Sequence, residues 1–417
     1  MPVTFERSDR GTVDFSWSDE DRAFESELTG FLDRELGPFL DHWNAVDRSS
    51  AVGAAPGGVM GAMQKRKAWQ RVLQSERWAA ILWPEVWGGR NATVSQHVMY
   101  TQVMAQYRTP GIFNANGIVQ IGPAIIEWGT ELQRQRWLPG ILDATAHWCQ
   151  CFSEPHAGSD LANLRTTAVR EDDDDYVVNG TKTWISSAQI ADWGMCLFRT
   201  DPGAVARGVK HDGITMFVVD MHSPGITITP IREITGDALF CEVNFDNVRV
   251  SATDRLGDEN QGWTVSMGAL GKERVGSAGQ AISMANDLRQ LLQTAKAVNP
   301  DALRDPLIRD RVGQLHTQIE FTRLLLARAL SKVLQGEKGF PEVALSKLQW
   351  GYISLWLAEL ALDILGPSAL VTKGGAGAID DGLWARNYVW QRYTTIGAGP
   401  TEVQKNIIAD RALRLER

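Results

Sequence analysis

Four cysteines in 417 residues are too few to frame a chain of this length with disulfides. Cys149 and Cys151 are one residue apart, a spacing that zinc sites do not favour, and no Cys/His pair stands nearby to complete one. No metal is expected, and all four, with Cys196 and Cys241, read as reduced thiols. Basic residues are also in short supply: 42 Lys and Arg face 50 Asp and Glu, a net charge of −8. That balance excludes a phosphate-tracking surface, so no nucleic-acid partner is expected. Long apolar runs are missing too. The N-terminal "MPVTFERSDRGTVDF" has no apolar stretch of the kind a signal peptide carries. The most apolar segment, "YISLWLAELALDILG", holds Glu359 and Asp363 and reads as too short for a bilayer. The expectation is a cytoplasmic protein without a membrane partner. No glycine cluster follows a strand and opens a helix, which leaves a dinucleotide-binding βαβ unit without support.

What remains is an ordinary globular composition, 44% apolar and 22% charged. The length suggests two or three domains. Residues 20 to about 145 have helical periodicity, clearest in Phe24, Leu28, Phe31, Leu32 and Leu36. The Gly/Ala-rich "AVGAAPGGVMGAMQ" reads as a flexible loop between helices. From 148 to 255 short β-branched and aromatic runs alternate with turn signals. Asn179-Gly180 in "DDYVVNGTKTWIS" predicts a hairpin turn, two strands flank Ser223-Pro224-Gly225, and "FCEVNFDNVRV" alternates as a strand. No helix-length pattern interrupts them, which predicts an antiparallel domain. "EDDDD" at 171–175 reads as a solvated loop. Helical patterns return near 260: Ile308, Val312, Leu315 and Ile319 form one stripe, and a last helix starts at Pro400-Thr401. The expected fold class is α+β, with a helical domain over 1–147, an antiparallel β domain over 148–255 and a C-terminal helical bundle over 256–417.

Two segments offer chemistry. "CFSEPHAGSDLANL" makes an irregular loop whose amides, with the hydroxyls of Ser153 and Ser159, can cradle a phosphate or cap a heterocycle; the same pattern also serves as an ordinary turn. "TKTWISSA" puts the aromatic plane of Trp184 beside Ile185 and the Ser186 hydroxyl, an arrangement that a core tryptophan would also give.

Taken together and in this order, "FSEPHAGSD" and "GTKTWISSA" resemble the acyl-CoA dehydrogenase family of flavoproteins. "WPEVWGGR", "WGTELQRQRWLPGILDA", "GITMFVVDM" and the terminal "PTEVQKNIIADRAL" extend the resemblance from about residue 20 to the C-terminus. It implies an FAD cofactor, a four-helix bundle as the C-terminal domain, and an enzyme, an oxidoreductase acting on CH–CH groups. The implied reaction is α,β-desaturation of an acyl-CoA thioester by α-proton abstraction and β-hydride transfer to flavin N5. By resemblance Gln150, Phe152, Ser153, Gly158 and Ser159 line the FAD, Ser159 also reaching the acyl-CoA. Trp184, Ile185 and Ser186 pack on the flavin's other side, and Ala398 and Pro400 complete the cofactor site. His156 stands where the family commonly has a smaller residue and reads as an exposed loop histidine.

Many members carry the catalytic carboxylate just before the last helix, in a stretch resembling I-Y-E-G-T. Here "TIGAGPTEVQK" puts Ala398 at that position, and alanine takes no proton. Other members carry it on the long helix after the β domain, immediately before an arginine, as Glu273 and Arg274 stand in "GKERV". Trp263, Met267 and Leu270 form an apolar stripe that Glu273 continues. Gly268, Gly271, Gly276 and Gly279 lower helix propensity, as close approach of another group to the backbone would require. Glu273 is therefore the expected base, Arg274 a substrate-binding residue, and the Ala398 amide a donor to the developing enolate. The R-x-x-F-G and Q-x-x-G-G motifs of many relatives are missing, with Arg311 and "DILGP" in their places, as in a divergent bacterial subgroup that includes mixed oligomers. An electron-transfer flavoprotein is the implied acceptor and a homo-oligomer, tetramer or dimer, the implied assembly. A same-fold flavin oxidase or monooxygenase, and a partner subunit of a hetero-oligomeric dehydrogenase, are the alternatives. The acyl group stays open among fatty, branched, aromatic and steroid side chains.

Overall fold

The computed structural model describes residues 17–49, 59–171, 175–273, 279–334 and 341–415. The first helix, α1 (Asp19–Ser49), opens with a reciprocal cap in which Ser18 Oγ accepts from the Asp21 amide and Asp21 Oδ2 from the Ser18 amide. Its five-residue apolar stripe is buried throughout. Helices α2 (Val59–Ser75), α3 (Val94–Gln106), α4 (Gly122–Trp128) and α5 (Glu131–Leu142) follow. The Gly/Ala-rich segment expected to be a loop contributes Val59–Gln64 to α2, and residues 50–58 lie outside the described ones. Trp69 and Leu73 bury the inner face of α2, and that packing outweighs the low propensity of Gly61.

Eight strands form one sheet: β1 (Trp148–Cys151), β2 (Thr167–Arg170), β3 (Tyr176–Ser186), β4 (Trp193–Arg199), β5 (Ile214–Asp220), β6 (Ile226–Ile231), β7 (Phe240–Val250) and β8 (Arg255–Leu256). Their order is β6-β7-β3-β2-β4-β5-β8, with β1 beside β4, and a one-turn helix α6 (Gly203–Ala206) lies between β4 and β5. Pairing is mostly antiparallel; β1–β4 and the short β2–β4 contact are parallel. The hairpin expected at Asn179-Gly180 does not form, because β3 runs straight through both residues. β2 and β7 hold β3 on its two edges, so a chain reversal there would forfeit both ladders. Gly180 serves a different need: at φ 143° it carries a bulge, and a Cβ would stand 2.7 Å from the Thr166 Cα. The strands around Ser223-Pro224-Gly225 exist but pair with different neighbours. At 171–175, Glu171 and Asp175 both reach Arg249, while 172–174 lie outside the described residues.

Helices α7 (Gly262–Glu273), α8 (Gln280–Val298), α9 (Pro306–Leu334), α10 (Glu342–Leu365), α11 (Leu383–Trp390) and α12 (Thr401–Ile408) complete the described chain. The segment judged too short for a bilayer belongs to α10, 24 residues long and, among the described residues, the one helix long and apolar enough to cross a membrane. It packs against α8, α9, α11 and α12, with Ile353, Leu360, Ala361 and Ile364 fully buried, as the middle helix of a bundle.

One apolar cluster joins α4 and α5 to the sheet and to α7, through Trp83, Trp137, Trp148, Val265 and Ala269. Trp83 anchors it by donating from Nε1 to the Ile118 carbonyl at 2.9 Å, and its ring lies on Gly122 where a Cβ would stand. Gly122→Ala is expected to push that indole off its seat and cost about 1–3 kcal/mol, read as a lower denaturant midpoint of the holoenzyme. An unchanged midpoint would contradict this packing.

Candidate functional site

Between Lys182 and Ile185 the register of β3 against β7 slips, and the residue at the slip is Trp184. Its φ is 60°, a left-handed conformation that is an outlier for a bulky side chain. The bulge turns the indole outward: Trp184 is 60% exposed, while Ile185 beside it is buried in the sheet core. Strain of this kind persists where surrounding structure over-determines it, often at a ligand site. Ser186 next to it is exposed and Ser153 half-buried, so hydroxyl donors flank an open aromatic plane. A flat heterocycle with polar edges fits such a wall.

The loop Phe152–Ser159 is fixed to β3 from behind. Thr183 donates its amide to the Ser153 carbonyl at 2.9 Å. Lys182, wholly buried, donates from Nζ to the Phe152 carbonyl at 3.1 Å and to Glu154 Oε1 at 2.8 Å. Glu154 also accepts from the Arg165 amide at 2.7 Å and the Thr166 amide at 2.9 Å. Burial pushes the Glu154 carboxyl up, but Lys182 and these amides together hold it below its ordinary value. Burial pushes the Lys182 ammonium down, with Glu154 opposing, and burial prevails. His156, 40% exposed, covers the pair from outside with Nε2 at 3.3 Å from Glu154 Oε2. Neither Glu154 nor Lys182 is singled out by the sequence; the one signal for Lys182 is its place two and four residues beyond Gly180 and Val178 on the alternating face of β3 that begins with Tyr176. Phe152 is itself buried in the junction cluster, and Ile185 in the sheet core. Gln150 is half-buried on β1, and Gly158 and Ser159 are exposed at the loop tip.

An aromatic chain runs from Trp184 to the C-terminal helices. Its ring meets Phe240 edge-on at 6.0 Å, Phe240 stacks on Trp390 at 6.4 Å, and Tyr393 lies 5.2 Å from Trp390 and against Gly397. Gly397 leads to Ala398, which is exposed with φ 54°, to Gly399 at φ 95°, and to Pro400, the N-cap of α12. Trp390 and Tyr393 also wall a cavity of about 420 Å³ between α3, α8 and α10, a size in the usual range for small-ligand sites.

Helix α7 is anchored at the junction. Gly262 sits so close to β5 that a Cβ would meet the Thr215–Met216 backbone at 2.6 Å, and Val265, Ser266 and Ala269 are buried. The expected stripe is therefore displaced: Met267 is 40% exposed and Trp263 only partly buried, because the face toward α4 and β5 is set by the small residues. Four-residue spacing carries that face from Val265 through Ala269 to position 273, where α7 ends. The side chains of Leu270 and Glu273 and the surroundings of Gly271 lie outside what is described, as do Arg274 and Gly276 altogether. Gly279 is described, and there a Cβ would stand 3.0 Å from the Thr101 carbonyl oxygen of α3, the close approach its residue type suggests. Arg311 pairs at 2.6 Å with Asp363 of "DILGP", tying α9 to α10 within the chain.

Helical layers around a mostly antiparallel sheet, with an outward indole at a bulge and a cavity beneath the following helices, define a flavoprotein dehydrogenase architecture. Residues 18–145, 149–248 and 260–413 match, respectively, the N-terminal, middle and C-terminal domains of acyl-CoA dehydrogenase. The chain is 37% identical over 372 residues to acyl-CoA dehydrogenase IpdE1 of Mycolicibacterium smegmatis, covering 87% of this chain and 91% of that one. Among solved structures, the ChsE4-ChsE5 complex from Mycobacterium tuberculosis is 27% identical with a TM-score of 0.78, over 97% of this chain and 100% of that one. The Tcur3481-Tcur3483 steroid ACAD is 25% identical with a TM-score of 0.80, over 97% and 100%. The chain belongs to the acyl-CoA dehydrogenase family. It is an FAD-dependent oxidoreductase that desaturates an acyl-CoA thioester.

Proposed function

We propose that the acyl group enters the cavity between α3, α8 and α10 and that Glu273, at the end of α7, removes the α-proton. The observation that carries this reading is the exposed Ala398 at the start of the last helix, where a methyl group stands in place of a carboxylate. A base must then come from another element, and α7 is seated by its buried face against β5 and α4, a fixed support for a residue at its end. The Ala398 amide, in a left-handed turn, is proposed as a donor to the thioester oxygen, and Arg274 as a contact to the CoA moiety. Trp184, Ser153 and Ser186 would hold the isoalloxazine, and Gly158 and Ser159 the phosphates, with Gln150, Phe152, Ile185 and Pro400 contributing the surrounding wall. FAD, when bound there, supplies the acceptor for the β-hydride. The aromatic chain from Trp184 to Tyr393 forms an apolar wall that runs from the flavin side to the cavity.

The proposed substrate class is a ring-bearing acyl-CoA. The likeness to the Tcur3481-Tcur3483 steroid ACAD supports this class. Exposed Phe321 and Leu324 on α9 and Trp356 on α10 support assembly through the bundle, with itself or with a second type of subunit. An electron-transfer flavoprotein is the proposed acceptor.

Anaerobic mixing of the flavin-loaded protein with straight-chain and alicyclic acyl-CoAs tests the proposal. Bleaching of the oxidised flavin is expected to be faster by on the order of 10-fold or more with the alicyclic thioesters. Equal bleaching across the panel would remove the ring-bearing class. Failure of the purified chain to retain flavin would favour the partner-subunit reading, and rapid reoxidation by air with product bound would favour an oxidase.

A further inference from the structure

The cavity has one carboxylate in its lining, Asp287 of α8. Among the described residues Asp287 makes no hydrogen bond or ion pair. The basic group nearest in effect, Arg108, is committed elsewhere, donating to the Asn286 carbonyl at 3.2 Å and to Gln290 Oε1 at 3.5 Å. Asp287 is accessible, as a group lining an open cavity must be. Enough protein nevertheless crowds it that burial lifts its carboxyl above the ordinary range, with Arg108 opposing. Trp350, Trp390 and Tyr393 give the cavity an aromatic lining, to which Ser283 and Ser354 add hydroxyl-bearing residues.

A plain hydrocarbon filling this space would strip water from Asp287 and return nothing for it. An acyl group with a hydrogen-bond donor on its distal part would satisfy the carboxylate and still cover the aromatic wall. We infer that Asp287 is a specificity-determining residue that selects acyl groups bearing a distal donor, a hydroxyl, over their unsubstituted counterparts. This inference rests on the proposed use of the cavity as the acyl site, not on the assignment of the base. A protonated amine offers the same donor chemistry, and the test separates the two.

The probes are non-reactive CoA thioethers carrying a cyclohexyl-propyl group that is unsubstituted, ring-hydroxylated or ring-aminated. Their dissociation constants are read from the flavin absorbance perturbation of the holoenzyme and checked by equilibrium dialysis. The hydroxylated probe is expected to bind on the order of 10- to 100-fold tighter than the unsubstituted one. Asp287→Leu is expected to collapse that ratio toward one, while Asp287→Asn, which keeps an acceptor oxygen, retains part of it. Equal binding of all three probes to wild type would overturn the inference, as would a ratio that survives in Asp287→Leu. Tightest binding of the aminated probe would replace the hydroxyl with a cation. A uniform loss of binding in both variants would assign Asp287 a structural role instead. Because no turnover is involved, loss of the base assignment leaves this outcome readable.

Discussion

Glu273→Gln is expected to keep its FAD and to lose on the order of 10²- to 10⁴-fold in the rate at which an acyl-CoA bleaches it. Glutamine keeps the size and hydrogen-bonding edges of the side chain and removes its ability to take a proton. Substrate binding should therefore change little while the chemical step slows, so the loss appears in the limiting bleaching rate and not in the half-saturating concentration. The expectation follows from Ala398: a methyl group stands in the turn before α12, and alanine takes no proton. Ala398→Glu in the Glu273→Gln background adds a second reading. Ala398 is exposed in a left-handed turn between two glycines, and its Cβ has room for a longer side chain. Partial recovery of bleaching in the double variant would show that either position can reach the α-carbon. Bleaching at the wild-type rate in Glu273→Gln alone would sink the assignment.

The helical layers were legible in the sequence because their stability rests on local periodicity: the five-residue stripe of α1 is buried residue for residue. The sheet was legible as strands but not as a topology. Asn179-Gly180 carries a strong local turn signal, yet pairing on both edges of β3 overrides it, and the glycine answers to Thr166, fourteen residues earlier. Of the candidate site, Trp184 could be picked out, but its outward orientation depends on a register slip against β7 that no local pattern encodes. The stripe on α7 was misread because Gly262, Ser266 and Ala269 pack closely and leave Met267 outside, an outcome of contacts with β5 and α4. Trp390, Tyr393 and Asp287 were passed over for the same reason: each acquires meaning only when α8, α10 and α11 converge.

The buried pair behind the flavin loop carries the second large effect. Lys182→Met is expected to destabilise the holoenzyme by about 3–5 kcal/mol, because it leaves the Glu154 carboxylate buried without its cation. The two partners differ in what the pair does for them. Glu154 is held below its ordinary value, so its contribution is present in full above the unfolded carboxyl value of about 4.3 and is lost as pH falls through its lowered folded value. Lys182 is also held below its ordinary value, so its burial works against folding at neutral pH, and that cost is relieved only as pH rises from its lowered folded value toward about 10.4. What the pair holds in place is the Phe152 carbonyl, 3.1 Å from Lys182 Nζ, next to the Ser153 carbonyl that the Thr183 amide holds. In Lys182→Met burial acts on Glu154 without its largest opposing group, the Lys182 ammonium, so the acid limb of the stability profile should move to higher pH. Lys182→Met/Glu154→Leu should recover much of the lost stability, since an apolar pair replaces an unpaired charge. It should still bind FAD more weakly than wild type, because the Phe152 carbonyl loses its tie to β3 and only the Thr183 amide still holds the loop there. Urea midpoints of the three proteins between pH 5 and 8, with flavin retention on gel filtration, give both readings. Wild-type flavin affinity in the double variant would show that the loop holds its shape without the pair.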